Sequence, residues 1–174
     1  MAAPLLISLP TGLNVGGVTT FALRLANGMA GRGRHVTLLL HPEPRGCAGV
    51  EFELDSRVEV VRLDVPSFEE SAGDLSRFIP HYRDAIRRLH AQSGLPVVVA
   101  PQMHGDGFGV AAAIGQVDPE MIRVIGWQHS DIEYDARVLT RYEPIIHKFV
   151  AVSDRIAATL RQRLTQRTAD IASI

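Results

Sequence analysis

At 174 residues the chain has the usual size of one domain and can bury a sizeable core without disulfides or a structural metal. Its 18 Lys and Arg nearly cancel its 19 Asp and Glu, which argues against a nucleic-acid-wrapping surface and against an acidic tail. The single cysteine, Cys47, has no partner for an internal disulfide, and no Cys/His cluster has zinc spacing, so a reducing, cytoplasmic setting without a metal site is expected.

No charged side chain precedes Arg24, yet the apolar start reads as neither an export signal nor a membrane span. It has no basic n-region, and Pro4, Pro10, Gly12, Asn14, Gly16 and Gly17 interrupt it. It reads instead as a buried strand, Leu5 to Leu9, followed by a turn. Gly16 and Gly17 then open a helix in which Val18, Phe21, Ala22, Leu25 and Met29 recur at helical spacing, with Arg24 and Asn27 outside. Gly31 and Gly33 end that helix, and His35 to Leu40 is the next strand. Pro42 to Gly49 reads as a long loop, and Val58 to Val65 alternates enough to suit a strand near a sheet edge. Glu69 to Gln92 reads as a helix with early acids and late arginines, restarted midway at Pro80. A strand at Pro96 to Ala100, a small-residue helix at Gly107 to Val117 and a strand at Arg123 to Trp127 follow. Ser130 and Glu133 have the spacing of a capping box that starts a helix directly after His129. After a strand at Lys148 to Val152, Ser153 is a natural N-cap for a helix that buries Ile156, Ala157, Leu160 and Leu164. The sequence closes on a new extended, apolar run, "TADIASI".

Continuously apolar strands alternating with helices predict an α/β fold, a Rossmann-like parallel sheet flanked by helices, as a single domain over residues 1–174. Ligands of such folds bind beyond the carboxyl ends of the strands. That rule gathers Gly12 to Gly17, His41 to Glu43, Gln102 to Asp106 and His129 to Asp131 on one rim. The dinucleotide fingerprint G-x-G-x-x-G is absent, and Glu43, flanked by Pro42 and Pro44, is a poor ribose-binding acid, which disfavours a nicotinamide oxidoreductase.

The order "LLISLP…GGVTTFALRLANGMAGRGRHVTLLL", "RVIGWQHSD", "KFVAVSDRIAATLRQRL" resembles the amino-terminal domain of a GT-B-fold glycosyltransferase of the retaining family 4 type. The shared features are the Gly16–Gly17 loop after the first strand and the segment Met29 to Val36, with Arg34 where that family usually has histidine. A histidine after a later strand, His129, and the V-S-x-x-x-A-x-x-L segment from Val152 to Leu160 complete them. The resemblance runs from Leu5 to about Leu164 and implies one half of a GT-B fold. Such enzymes carry a second, carboxy-terminal domain with an E-x7-E signature that has no counterpart here. That domain is expected to follow Ile174, with residues 166–174 as the start of the connection.

By that resemblance the chain is the acceptor-side domain of an enzyme that moves a sugar from a UDP- or GDP-type nucleotide-sugar to a hydroxyl of a saccharide, lipid or small metabolite. No cofactor or obligatory metal is implied, and the isolated domain is expected to be inactive. Gly16 and Gly17 would offer oriented amides to the donor diphosphate, although a tight helix–strand turn accounts for such a pair equally well. His129 would hydrogen-bond a sugar hydroxyl or the charge developing near the anomeric carbon. His104, in "QMHGDGFG", has a similar place; Asp106 beside it is an N-cap or an acceptor-binding group, and Asp131 is a capping residue close enough to matter. His35, His81 and His90 read as structural or solvated. The arginines from Arg155 to Arg167 read as a solvated face, with contact to an anionic membrane surface the other use, toward which net charge gives no push. An isolated half would also expose apolar surface on which a second copy could dimerise. The alternative function is a stand-alone nucleotide- or sugar-binding module without chemistry.

Overall fold

The computed structural model describes residues 2–43, 49, 51–102 and 105–174; Cys47, His104 and most of the Pro42 to Gly49 loop lie outside them. Seven strands form one sheet, β1 (Leu5–Leu9), β2 (Val36–Leu40), β3 (Val58–Arg62), β4 (Val97–Pro101), β5 (Ile122–Gln128), β6 (Ile146–Ala151) and β7 (Ile171–Ser173). Their order is β3-β2-β1-β4-β5-β6-β7, and every neighbouring pair is parallel. The helices between them are α1 (Gly17–Gly31), α2 (Ile79–Ser93), α3 (Gly105–Val117), α4 (Glu133–Arg141) and α5 (Asp154–Arg163). The Rossmann-like α/β reading of the sequence therefore holds, including the terminal run, which becomes β7 and pairs with β6.

Continuous apolarity of the central strands has a simple cause. Leu5, Ile7 and Leu9 of β1 pack with Val36, Leu38 and Leu40 of β2 against α1, whereas Leu6 and Leu39 turn to the opposite face with α2 and α3. Both faces of the strand are thus covered, and each buried Leu or Ile contributes roughly 1.5–3 kcal/mol. The edge position expected for Val58 onwards is also found, because β3 has only β2 beside it and Val60 is exposed. Among the described residues no helix is long and apolar enough to cross a membrane.

Three local readings change. The inner face of α1 is Thr19, Ala22, Leu23, Ala26 and Ala30, which keeps Ala22 of the expected stripe but not Val18, Phe21, Leu25 or Met29. Most of these side chains are small and pack directly against the sheet, leaving Phe21, Leu25 and Met29 partly buried at the flanks. Asn27 is not free in solvent either: its amide donates to the Glu53 carbonyl at 2.9 Å and its carbonyl accepts from the Asp55 N–H at 2.9 Å. The helix expected from Glu69 begins only at Ile79, with Pro80 in its first turn rather than at a mid-helix restart. Left-handed backbone at Ala72 (φ 49°) and Gly73 (φ 86°) stops any helix before it, and Glu70 instead binds the Ser67 N–H at 3.0 Å. The third change, at the start of α4, belongs to the site.

Candidate functional site

The strand order reverses direction at β1, with β2 to one side and β4 to the other, and the loops after β1 and β5 border a crevice at the carboxyl edge of the sheet. The β1–α1 loop is held from within by Gly12, whose φ of +59° lets the chain fold over the end of β2. There the Glu43 carboxylate accepts the Leu13 N–H at 3.2 Å and faces Arg62 at 3.5 Å, which keeps that carboxyl below its ordinary range. Beyond this anchor Gly16 and Gly17 are exposed, with extended backbone at Gly16 (φ 174°) and no side chain capping α1. The first turn of α1 holds no acid, so its N–H groups and its positive dipole end are presented to solvent without a counter-charge on the helix itself.

A cleft of ≈ 500 Å³ lies beside this helix end, and Gly17 and His129 both line it. Val18, Phe21, Ile132 and Val152 form apolar walls, while Ser130 and Asp135 add polar groups. Among the described residues that line it there is no Lys or Arg, so the α1 terminus, with no acid in its first turn, contributes positive potential there. Among the described residues no three His, Cys, Asp or Glu side chains converge as metal ligands would.

His129 extends from the end of β5 and is fixed on two sides. Its Nε2 sits 2.8 Å from Oε1 of Gln102, a buried residue just after β4. Its ring meets Phe21 edge-on at 4.9 Å between centroids and lies nearly parallel to Trp127 at 6.4 Å. Burial lowers its pKa from 6.5 to about 4, so the imidazole is neutral at physiological pH. The turn that follows is tied down by Gln128, whose amide donates to the Ser130 carbonyl at 2.9 Å.

The expected capping box is not what starts α4. Its N-cap is Ile132, and Glu133 turns outward to a bidentate pair with Arg163, the shorter bond being 2.7 Å. The acid that reaches back is Asp135, which accepts from the Ser130 hydroxyl at 2.7 Å and is almost fully buried. Burial pushes its carboxyl upward from the ordinary value, opposed by the Ser130 hydrogen bonds. The chain turns toward α4 later than the S-x-x-E spacing assumes, so the inward-facing position falls two residues beyond Glu133.

The family model for Glycosyltransferase Family 4 matches residues 15–173, which takes in both glycines, His129 and β7. The chain belongs to Glycosyltransferase Family 4. A search of curated proteins finds no match.

Of the site residues expected from sequence, this family 4 domain brings Gly17 and His129 to one cleft, with Gly16 immediately before the helix. Asp131 lies on the rim but is paired with Arg155 at 3.0 Å. Asp106 opens α3 and lines a separate cleft of ≈ 700 Å³ with Tyr134, Arg137 and Arg141. His104 lies outside the described residues. His41, on the same rim, is a packed residue: buried, 2.7 Å from the Tyr82 hydroxyl through Nε2, and 4.3 Å from the Phe68 ring. Sequence reasoning put Gln102 on the rim without giving it a role, and passed over Gln128 and Asp135. The signal for the glutamines was a long polar side chain placed directly after an apolar strand, a position that in a parallel sheet points at the ligand edge.

Proposed function

We propose that this domain is the acceptor-side half of a retaining glycosyltransferase that moves a sugar from a UDP- or GDP-type donor to a hydroxyl acceptor in the cytoplasm. In that reaction the bond from the anomeric carbon to the diphosphate oxygen breaks, the nucleoside diphosphate leaves with the electron pair, and the acceptor oxygen forms the new bond as its proton is lost. The observation that carries the reading is the placing of an uncapped helix N-terminus and a neutral histidine on one cleft beside the strand-order reversal. Free amides at Gly16 and Gly17 suit the departing diphosphate, because hydrogen bonds and dipole aimed at developing negative charge need no reorganisation during the reaction. A neutral imidazole suits a sugar hydroxyl. With no Lys or Arg among the described lining residues, cationic help for the leaving group would come from a second, carboxy-terminal lobe closing over the cleft. The exposed Ile132 on its wall and Val15 in the adjoining loop are consistent with such a cover.

The deciding experiment measures sugar transfer by the full-length protein from a panel of UDP- and GDP-sugars, together with calorimetry of this chain with UDP and GDP. Transfer with retained anomeric configuration, weakened by Gly17→Val and by His129→Ala, is expected. Tight binding by this chain alone with no transfer by the full-length protein would instead identify a binding module.

A further inference from the structure

The pair formed by His129 and Gln102 has a consequence beyond fixing a ring. We propose that Gln102 is a positioning residue that holds His129 as the Nε2–H tautomer, so that Nδ1 faces the cleft as a hydrogen-bond acceptor and this subsite takes a ligand hydroxyl rather than a phosphate oxygen. The inference deepens the reading of the cleft as a glycosyl-transfer site and rests on that reading for the identity of the ligand.

The geometry begins at the sheet. Gln102 follows β4 directly, and its backbone N–H donates to the Ser8 carbonyl of β1 at 3.3 Å, so its main chain is held at the strand-order reversal. Its side chain, 2 % exposed, crosses to the end of β5 and sets Oε1 at 2.8 Å from His129 Nε2. With Oε1 and not the amide nitrogen turned to the ring, the contact is a hydrogen bond only when the proton is on Nε2; a neutral imidazole then has its lone pair on Nδ1. Nδ1 makes no hydrogen bond to a described residue, and the ring lines the cleft. Phe21 against the ring edge and Trp127 beside its face oppose the rotation that would exchange the two nitrogens. An acceptor nitrogen repels a phosphate oxygen and bonds an O–H, so the cleft divides its labour: anion at the α1 terminus, hydroxyl at the imidazole. The lowered pKa of His129 agrees with this arrangement, since an amide oxygen supplies no charge to hold an imidazolium.

The test is long-range proton–nitrogen correlation spectroscopy of the imidazole rings in this chain, with His129→Gln identifying the His129 signals. At neutral pH the parent should show a protonated Nε2 and an unprotonated Nδ1. In Gln102→Leu the tautomer should become mixed. In Gln102→Glu the Nε2–H form should persist while the His129 midpoint rises by about one pH unit or more, because a carboxylate facing Nε2–H favours the imidazolium. A purely packing role would leave the tautomer of Gln102→Leu as it stands in the parent. An Nδ1–H tautomer in the parent overturns the proposal, as does an unchanged tautomer and midpoint in whichever of the two variants retains the parent's amide spectrum. No sugar nucleotide enters these measurements, so their outcome is separable from success or failure of the transfer assay.

Discussion

Gly12 and the Gly16–Gly17 pair sit in one loop under opposite constraints. At Gly12 the backbone is left-handed, and a Cβ would lie 2.7 Å from the His41 carbonyl oxygen and 2.9 Å from the Glu43 carboxylate. At Gly16 and Gly17 the backbone is not left-handed, and a Cβ would meet nothing within 4 Å. Contacts inside the chain thus account for the first glycine and leave the other two unexplained. Residues that the fold does not require, at a place the fold leaves open, are where a ligand's demands become visible.

The largest expected effect lies on the fold side of that comparison. Gly12→Ala should cost about 2–4 kcal/mol, combining the left-handed penalty with a clash against backbone that cannot rotate away. Urea denaturation reads it directly, and a loss below about 1 kcal/mol would mean the loop is not anchored at Gly12.

Next comes the acid limb of stability. The folded-state pKa of His129, about 4, lies below the ordinary 6.5, so the unfolded chain takes up the proton first. Stability from this group is therefore complete above pH 6.5 and is lost as pH falls toward 4, by about 1–3 kcal/mol once the ring's partial exposure is allowed for. Replacing His129 with Gln should flatten the profile between those limits. An equally steep profile in that variant would assign the acid sensitivity to other groups.

Smaller again is the turn beneath His129. Ser130→Ala removes a hydroxyl that donates to the buried Asp135 carboxylate and should cost about 1–2 kcal/mol. Glu133→Gln should cost less than Ser130→Ala, because the Arg163 pair it breaks is exposed. The reverse order, from thermal melts of the two variants, would restore the capping box that the spacing implied.

Legibility in the sequence follows the range of the forces involved. The sheet was readable because Leu5 to Leu9 and Val36 to Leu40 are apolar at every position but Ser8 and Thr37, a signature that both-face burial imposes locally. Ser153 was readable too, since its hydroxyl accepts the Ile156 N–H at 3.3 Å within its own turn. The inner face of α1 was legible only at Ala22, because packing against the sheet, and not apolar periodicity alone, chose Ala26 and Ala30 over Phe21 and Leu25. The role of Gln102 escaped for a similar reason: its partner is 27 residues away on another strand, and only the sheet order makes them neighbours.

The smallest expected effect on stability is the one that sharpens the opening contrast most. Gly16→Ala and Gly17→Ala place a methyl in open space at the start of α1; at Gly17, inside the helix, alanine is the better helix former, whereas at Gly16, the N-cap, glycine keeps a small advantage. Their folding free energies should stay within about 0.5 kcal/mol of the parent, with any change at position 17 toward greater stability. Binding should tell the opposite story, because the same methyl would stand between the α1 amides and any diphosphate approaching them. Calorimetry with UDP, run beside denaturation of the same samples, separates the two readouts. If either alanine costs more than about 1 kcal/mol of stability, the pair is needed by the fold after all, and its exposure carries no information about a ligand. If stability holds and UDP affinity falls, the loop contains one glycine for the chain and two for the anion.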